Sequence, residues 1–464
     1  MRGVVGWGSY LPHWRLERAD IAAFVGQGGG KGTRTVASYD EDPSTMAVEA
    51  ARRIAGVGAT EVVMFASTAP AYADKTNATV VHAALRLADH ALATDLGQSA
   101  RSATAGLLMA ARGSGAVLAA AADIRRGWAG SADEAAGGDA AAAVLFADHR
   151  PDLPVLAEVV ATASATEEFV DRWRAPGEAR TKMWDERFAE LTYGRLGADA
   201  WKRALAAAGV AAADVALVAV AAPAPRIGSS LAGRLGAARV IDDRATTVGA
   251  TGAAQATLAL VDLLEQAEPG QLVALVSLAD GADVLLLRTT ADLAHHRPAV
   301  TVAAQAEGGA RLAYGRFLSW RGNLNVEPPR RPEPQRVSAT AAARSDDWKF
   351  GFVAGRDQTT GQVHMPPQRV SADGTRTDHM DPVPMAGVAG TVATFTIDHV
   401  AYSPSPPVVF AVVDFDGGGR LPIELCDCSA AEVSIGMRVE PTFRRLFVQD
   451  GLPNYFWKAR PLRG

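Results

Sequence analysis

Cysteine is nearly absent. The 464 residues contain only Cys426 and Cys428, two apart, so on a strand both thiols share one face. A disulfide between positions that close would distort the strand. Reduced core thiols are therefore expected, as in a cytoplasmic protein. Long apolar runs are missing too, because Arg or Asp interrupts every candidate before it could cross a membrane. The opening MRGVVGWGSYLPHW has no signal-peptide apolar stretch and reads as a strand, Val4 to Trp7, entering a loop. No charge sign is in large excess. The net charge of −5 argues against non-specific nucleic-acid binding.

What is there is a globular chain, 48% hydrophobic and 21% charged, long enough for two or three domains. From residue 1 to about 325, strands such as EVVMFAST and AAAAVLFAD alternate with Ala-rich helices such as HAALRLA, the pattern of a layered α/β domain. Asp42 caps a helix that starts on Pro43. Met46, Ala50 and Ile54 share a face of it, and Gly56 ends it. LGQSARSATAGLLMAA and VGATGAAQATLALVDLL have one layout: a strand end, Gly, small residues, then an Ala/Leu helix. GGDAAAAVLFAD and LADGADVLLLRTT repeat in the same order, which suggests a duplication that brings two helix N-termini to a central site. Residues 326–345, rich in Pro, Arg and Ser, read as a partly extended linker. Beyond it, residues 386–464 alternate as β-strands, with a turn at Asp416–Gly419, and suggest a small closed barrel.

Six stretches carry a family resemblance: DEDPSTMAVEAA at 40–51, FASTAPAYADKTNA at 65–78, DLGQSARSATAGL at 95–107, GGDAAAAVLFAD at 137–148, GATGAAQATLAL at 249–260 and LADGADVLLL at 278–287. In this order they resemble the thiolase superfamily, nearest its hydroxymethylglutaryl-CoA synthase and ketoacyl synthase III branch. The tail resembles the OB-fold partner domain of acyl-CoA thiolases and aldolases, here in the same chain. The resemblance implies an α/β fold, a duplicated αβαβα layered domain over 1–325. After the linker it implies a degenerate zinc ribbon at 346–385 and an all-β OB-fold at 386–464.

The departures from that family are chemical. Ala100 stands where condensing members carry Cys, and Ala222–Pro225 where they carry His. Ala250 replaces an Asn, and Thr68 or Ala69 the synthase's Glu. A cysteine-bound acyl-enzyme is excluded. The zinc-ribbon positions fall on Asp357, Thr360, Ser371 and Gly374. None is Cys or His, so no structural zinc is expected, and His364 alone cannot hold one.

Backbone donors need no side chain. The N–H groups of Ala100 and Ala279 are expected to form an oxyanion hole for an enolate. By resemblance the leading expectation is retro-aldol cleavage of a β-hydroxyacyl-CoA. The alternatives are a non-covalent condensing enzyme or acyltransferase of the hydroxymethylglutaryl-CoA synthase type, and an inactive acyl-CoA-binding scaffold. Tyr72, with its pKa lowered by a nearby cation, or Asp74 is the candidate base; otherwise Asp74 and Lys75 are a solvated pair and Tyr72 packs an interface. Ser99 orients substrate or merely packs the turn. Asn77, Arg101 and Arg226 join the candidate CoA-binding set. Arg101 is expected to pair with a carboxylate or a carbonyl. Residues 167–188 offer Trp173, Arg174, Trp184 and Arg187 for CoA, or else form an amphipathic surface helix. Tyr314, Phe317 and Trp320 are expected to pack the linker or the tail. Asp414, Asp416, Glu424, Asp427 and Glu432 crowd the barrel with negative charge, which disfavours nucleic acid. The expected ligand is a CoA or carrier-bound thioester, with no tightly bound cofactor. The expected state is a cytoplasmic homodimer formed through the first domain.

Overall fold

Runs of Ala, Val and Leu build the strands of the first unit. The computed structural model describes residues 1–463 except 297, 299, 328 and 336. Ten strands pair into one sheet: β1 Arg2–Tyr10, β2 Val62–Ala66, β3 Leu92–Leu96, β4 Val117–Asp123, β5 Ala140–Asp148, β6 Ala157–Ala165, β7 Val215–Ala221, β8 Arg239–Val240, β9 Leu272–Leu278 and β10 Ala282–Thr289. Their order in space is β8-β7-β9-β10-β6-β1-β5-β4-β2-β3. This is one five-stranded pattern used twice, joined where Gly3 and Val4 of β1 face Glu158 and Ala157 of β6. In the first half, β1-β5-β4 pair antiparallel and β4-β2-β3 parallel. In the second, β6-β10-β9 pair antiparallel and β9-β7-β8 parallel. The repeat read from the two glycine turns is thus a repeat of topology.

Four helices matter for the site: α1 Pro43–Ala51, α2 Ala100–Arg112, α3 Glu186–Ala208 and α4 Ala254–Gln266. α2 and α4 are the two that follow the repeated glycine turns. Their Leu107, Leu260 and Leu263 are fully buried in one core with Val4 and Val144 of the sheet. Each such side chain contributes roughly 1.5–3 kcal/mol. Where the helices begin, the residues shrink to alanine: Ala103 and Ala253 sit with Ala66 and Ala121 in one small cluster. Without large side chains there, the helix starts can approach the strand ends closely.

α1 has the expected start. Asp42 Oδ1 accepts from the Thr45 N–H at 2.9 Å, and Thr45 Oγ1 accepts from the Asp42 N–H at 3.0 Å. It ends at Ala51, short of the predicted Gly56. The next amides, Arg53 and Ile54, bond only three residues back, to Ala50 and Ala51, and this tightens the chain into a turn. Asp42→Ala is expected to lower stability by about 1 kcal/mol. A shifted urea midpoint with an unchanged slope would show it.

Residues 167–188 do not form a surface helix. Pro176 and Gly177, the latter at φ 84°, turn the chain into a hairpin that pairs Arg172–Trp173 with Lys182–Met183. α3 starts only at Glu186, with Asp185 capping the Phe188 N–H at 2.9 Å. Tyr314 and Phe317 pack with Leu16, Ile21 and Val36, joined by Trp14 and Trp320. Their partners are in the N-terminal segment rather than the linker or the tail.

The second unit comprises Ser38–Glu41, His82–Arg86 and the chain from Leu324 onward. Its barrel has five strands, β11 Gly390–Asp398, β12 Val408–Phe415, β13 Arg420–Leu425, β14 Arg438–Gln449 and β15 Leu452–Pro461, closed in the order β11-β12-β13-β15-β14. Gly417, Gly418 and Gly419, at φ 77°, 108° and 95°, make the turn between β12 and β13. The predicted linker is not wholly extended. Ala339–Arg344 is helical, a run of alanines that favours helix, with Ser338 capping the Ala341 N–H at 3.5 Å. Residues 328 and 336 of the linker lie outside the described residues.

The ribbon region is a three-stranded sheet of Val353–Asp357, Val363–His364 and Met380–Pro384. Hydrogen bonds shape its two turns. Asp357 Oδ1 accepts from the Thr359 and Thr360 N–H groups at 2.7 and 2.9 Å. The Ser371 carbonyl accepts from the Gly374 N–H at 2.9 Å, and its Oγ from the Arg376 N–H at 3.1 Å. Among the described residues no group of three His, Cys, Asp or Glu is placed to hold a metal.

Among the described residues, two cations are fully buried in this unit. Arg444 pairs with Glu41 at 2.8 Å and Asp427 at 2.7 Å. Lys458 pairs with Asp40 at 3.0 Å and also with Glu424. Burial alone would lower the Lys458 pKa, but Asp40 and Glu424 outweigh it and hold the ammonium well above its usual range. Burial would raise Asp40, but Lys458 and Arg444 outweigh that and hold it down. Four of the five acids expected to crowd the barrel are answered by cations: Glu424 and Asp427 face Lys458 and Arg444, while Asp414 pairs with Arg420 and Asp416 with Arg438, both at 2.5 Å; Glu432 accepts from the Ser429 N–H at 2.8 Å. Cys426 and Cys428 are free thiols. Burial pushes Cys428 up to about 12, and Cys426 well up as well, so neither is a ready nucleophile.

Candidate active site

α2 starts at the turn Gln98–Ser99–Ala100, and its N-terminus has no side-chain cap. Ser99 Oγ instead lies 3.5 Å from Ser102 Oγ. The Ala100 N–H makes no hydrogen bond among the described residues. That orphan donor carries the positive end of the helix dipole. It opens on a cavity of about 550 Å³ whose wall includes Ser99, Ala100, Thr68, Ala279 and Asp280, with the 172–183 hairpin on another side.

The second expected donor is not available. The Ala279 N–H is spent on the Gly281 carbonyl, 3.1 Å away, because Gly281 at φ 135° folds the turn back on itself. The expected base is also displaced. Neither Tyr72 nor Asp74 lines the cavity. Lys75 does sit 5.2 Å over the Tyr72 ring. Yet burial, helped by Asp42, raises the Tyr72 pKa rather than lowering it. Asn77 is structural: its side chain bonds the Tyr72 N–H and carbonyl, each at 3.0 Å, and Asp95 at 2.9 Å.

Arg101 pairs with a carboxylate and a carbonyl, as its position suggested. It reaches Asp283 at 3.0 Å and the Asp280 carbonyl at 2.6 Å. It thereby fixes the turn after β9 to the start of α2. Trp173 and Arg174 line the cavity. Trp184 is 74% exposed, edge-on to Trp173 at 6.3 Å, and outside the cavity wall. Arg187 is exposed and Arg226 pairs with Glu190 at 3.0 Å; neither is in that wall.

Asp280 was missed by sequence reasoning. It lines the cavity at φ 45°, an uncommon conformation for a non-glycine residue and one that clusters at functional sites. Its N–H donates to the Tyr193 hydroxyl at 3.1 Å, and its carbonyl takes Arg101. Asp280 is exposed at the cavity mouth, yet partial desolvation by the surrounding wall, then Asp171, raises its carboxyl above the usual aspartate range, against the pull of Arg101 and Arg172. Tyr193 lines the cavity too. Burial and Asp171 hold its hydroxyl protonated far above the ordinary tyrosine value. The only signal in the sequence was the Asp-Gly pair after an apolar strand, which reads as a turn.

Comparison with known proteins settles the architecture. The family described as the C-terminal OB-fold domain of ChsH2 matches residues 382–444. A hydroxymethylglutaryl-CoA synthase of Archaeoglobus fulgidus is 29% identical over 349 residues, 70% of this chain and 100% of that protein. The solved structure of a hydroxymethylglutaryl-CoA synthase complexed with CoA aligns with TM-score 0.59 at 17% identity, over 68% of this chain and 89% of that one. The chain joins a hydroxymethylglutaryl-CoA synthase-like thiolase fold to an OB-fold domain. A DUF35 domain-containing scaffold protein of Methanocaldococcus jannaschii is also similar, 28% identical over 119 residues, 25% of this chain and 84% of that protein. In the thiolase-like unit the cavity is bounded by both halves of the repeat: Ala100 belongs to the first, Gly252 and Asp280 to the second. That unit contains no cysteine, since both thiols lie in the OB-fold unit. Among the described residues no helix is long and apolar enough to cross a membrane.

Proposed function

We propose that the thiolase-like unit acts on acyl thioesters by aldol-type chemistry of the hydroxymethylglutaryl-CoA synthase kind, without a covalent acyl-enzyme. One observation carries the reading: Ala100, whose N–H is uncapped, and the acidic residue Asp280 line the same cavity. A thioester carbonyl at the start of α2 would be polarised by the Ala100 N–H and the helix dipole. Asp280 would take a proton from the neighbouring carbon, giving an enolate whose oxygen charge rests on that N–H. The enolate carbon then adds to a ketone carbonyl, and the new alkoxide takes up a proton to give a β-hydroxyacyl thioester. Retro-aldol cleavage is the same step reversed. The similarity to synthases favours the bond-forming direction.

The test needs no knowledge of the second substrate. The full chain is incubated with acetyl-CoA in heavy water, and deuterium in the acetyl group is followed by mass spectrometry. Uptake above the buffer rate, with no mass added to the protein, is expected. No uptake from acetyl-CoA or longer acyl-CoAs, together with no condensation product, would remove the basis for an enzyme.

A further inference from the structure

The two glycine turns end differently. At the first, α2 is uncapped and Ala100 keeps an open N–H. At the second, most of the main-chain donors ahead of α4 are taken. Ala250 donates to the Ala136 carbonyl at 2.8 Å, and Ala253 to Asp123 Oδ2 at 2.9 Å. Thr251 donates to Gln255 Oε1 from its N–H at 2.7 Å and from its hydroxyl at 3.0 Å. The Gly252 N–H makes no hydrogen bond among the described residues. A Cβ on Gly252, at φ 57°, would lie 2.1 Å from Asp123 Oδ2, so no side chain fits over that amide.

Gln255 thus has one end fixed and one end open. A backbone N–H can only donate, so the atom facing Thr251 is the carboxamide oxygen. The NH2 group is on the other branch of the amide and makes no hydrogen bond among the described residues. Gln255 is half-buried and lines the cavity, as does Gly252, whose carbonyl accepts from the Gln255 N–H at 3.1 Å. Ala222, Pro223 and Ala250 line the cavity too. Ala222, Ala250 and Gln255 also share a recess of about 10 Å³. The imidazole and carboxamide that the resemblance expects at these alanines are gone, and the amide of Gln255 stands beside the space they leave.

We propose that Gln255 is a catalytic residue: its NH2 group, with the Gly252 N–H beside it, holds the carbonyl oxygen of the ketone that the enolate attacks. This assignment rests on the aldol reading above. As the carbon–carbon bond forms, the π pair of the ketone moves onto its oxygen. The two donors carry that charge until the oxygen takes the proton that Asp280 removed. Ala222, Pro223 and Ala250 leave room for the ketone's substituents.

The experiment compares two readouts on the full chain: deuterium uptake into acetyl-CoA, and condensation of acetyl-CoA with acetoacetyl-CoA or butanone, both followed by mass spectrometry. Gln255→Glu keeps the oxygen that Thr251 needs and loses the N–H donors. At about pH 8, well above the ordinary glutamate range, its carboxyl cannot donate. The variant is expected to lower condensation about 10²-fold, the worth of one such donor, and uptake by less than about threefold. If it folds poorly, Gln255→Met, uncharged and of similar length, is read in the same way. Condensation at the wild-type rate by the Glu variant overturns the proposal. So does an equal loss of uptake and condensation, since Gln255 would then only hold the start of α4. Wild-type uptake without condensation of either ketone overturns the ketone site and leaves the enolate reading standing. Neither uptake nor condensation in the wild type removes both.

Discussion

Asp280→Asn is expected to slow deuterium uptake into a bound acyl-CoA by roughly 10²- to 10⁴-fold, the usual worth of a positioned general base, while changing acyl-CoA affinity little. The amide keeps the shape and loses only the ability to accept a proton. The backbone of the turn should survive the change, because it is held through its N–H on Tyr193 and its carbonyl on Arg101, not through the carboxylate. In the wild type, uptake should rise with pH across a value above the ordinary aspartate range, because partial desolvation and then Asp171 hold the carboxyl protonated for longer. The Asn variant should lose that limb of the profile. A variant that exchanges at the wild-type rate would show that another group removes the proton.

The largest effect on stability is expected from the buried cations of the OB-fold unit. Removing one member of a buried, hydrogen-bonded ion network typically costs about 3–5 kcal/mol, because its partners stay behind unpaired. Arg444→Met would strand Glu41 and Asp427, and Lys458→Met would strand Asp40 and Glu424. Urea denaturation followed by tryptophan fluorescence, to which the buried Trp457 of this unit contributes, would measure each loss. A change under about 1 kcal/mol, the size of an exposed pair, would mean that water reaches the network. The pH dependence has two ends. Asp40 is held below its unfolded pKa, so its contribution is present above roughly pH 4 and fades as the pH falls through its lower folded value. Lys458 is held above its unfolded pKa, so its contribution is complete below roughly pH 10 and fades as the pH climbs through the higher folded value.

The frame of the molecule was legible because it depends on local rules. A strand that stops at glycine before an Ala/Leu helix can be seen twice in the chain, and the sheet repeats its order accordingly. Asp42 and Pro43 announce a helix by chemistry that acts within four residues. The hairpin over the cavity was not legible, because two-residue strands have no period to read. Nor was the role of Asp280, whose meaning comes from a left-handed backbone and the company of Tyr193 and Asp171. Tyr72 misled for a related reason. A tyrosine beside a lysine looks activated, but its surroundings withdraw water and raise its pKa instead. Glu424 and Asp427 looked like surface charge because their partners, Arg444 and Lys458, lie on strands read as alternating, where inward and outward residues cannot be told apart by charge alone.

The short tetrapeptide Ser38–Glu41 limits how this protein can be dissected. It lies early in the chain, yet it supplies two of the four carboxylates around Arg444 and Lys458. Severing the polypeptide after Asn323 would give a C-terminal fragment with two interior cations and only half of their counter-charge. Such a fragment should be less stable than the same unit in the intact chain, and a synthetic peptide carrying Asp40 and Glu41 is the natural reagent for restoring it.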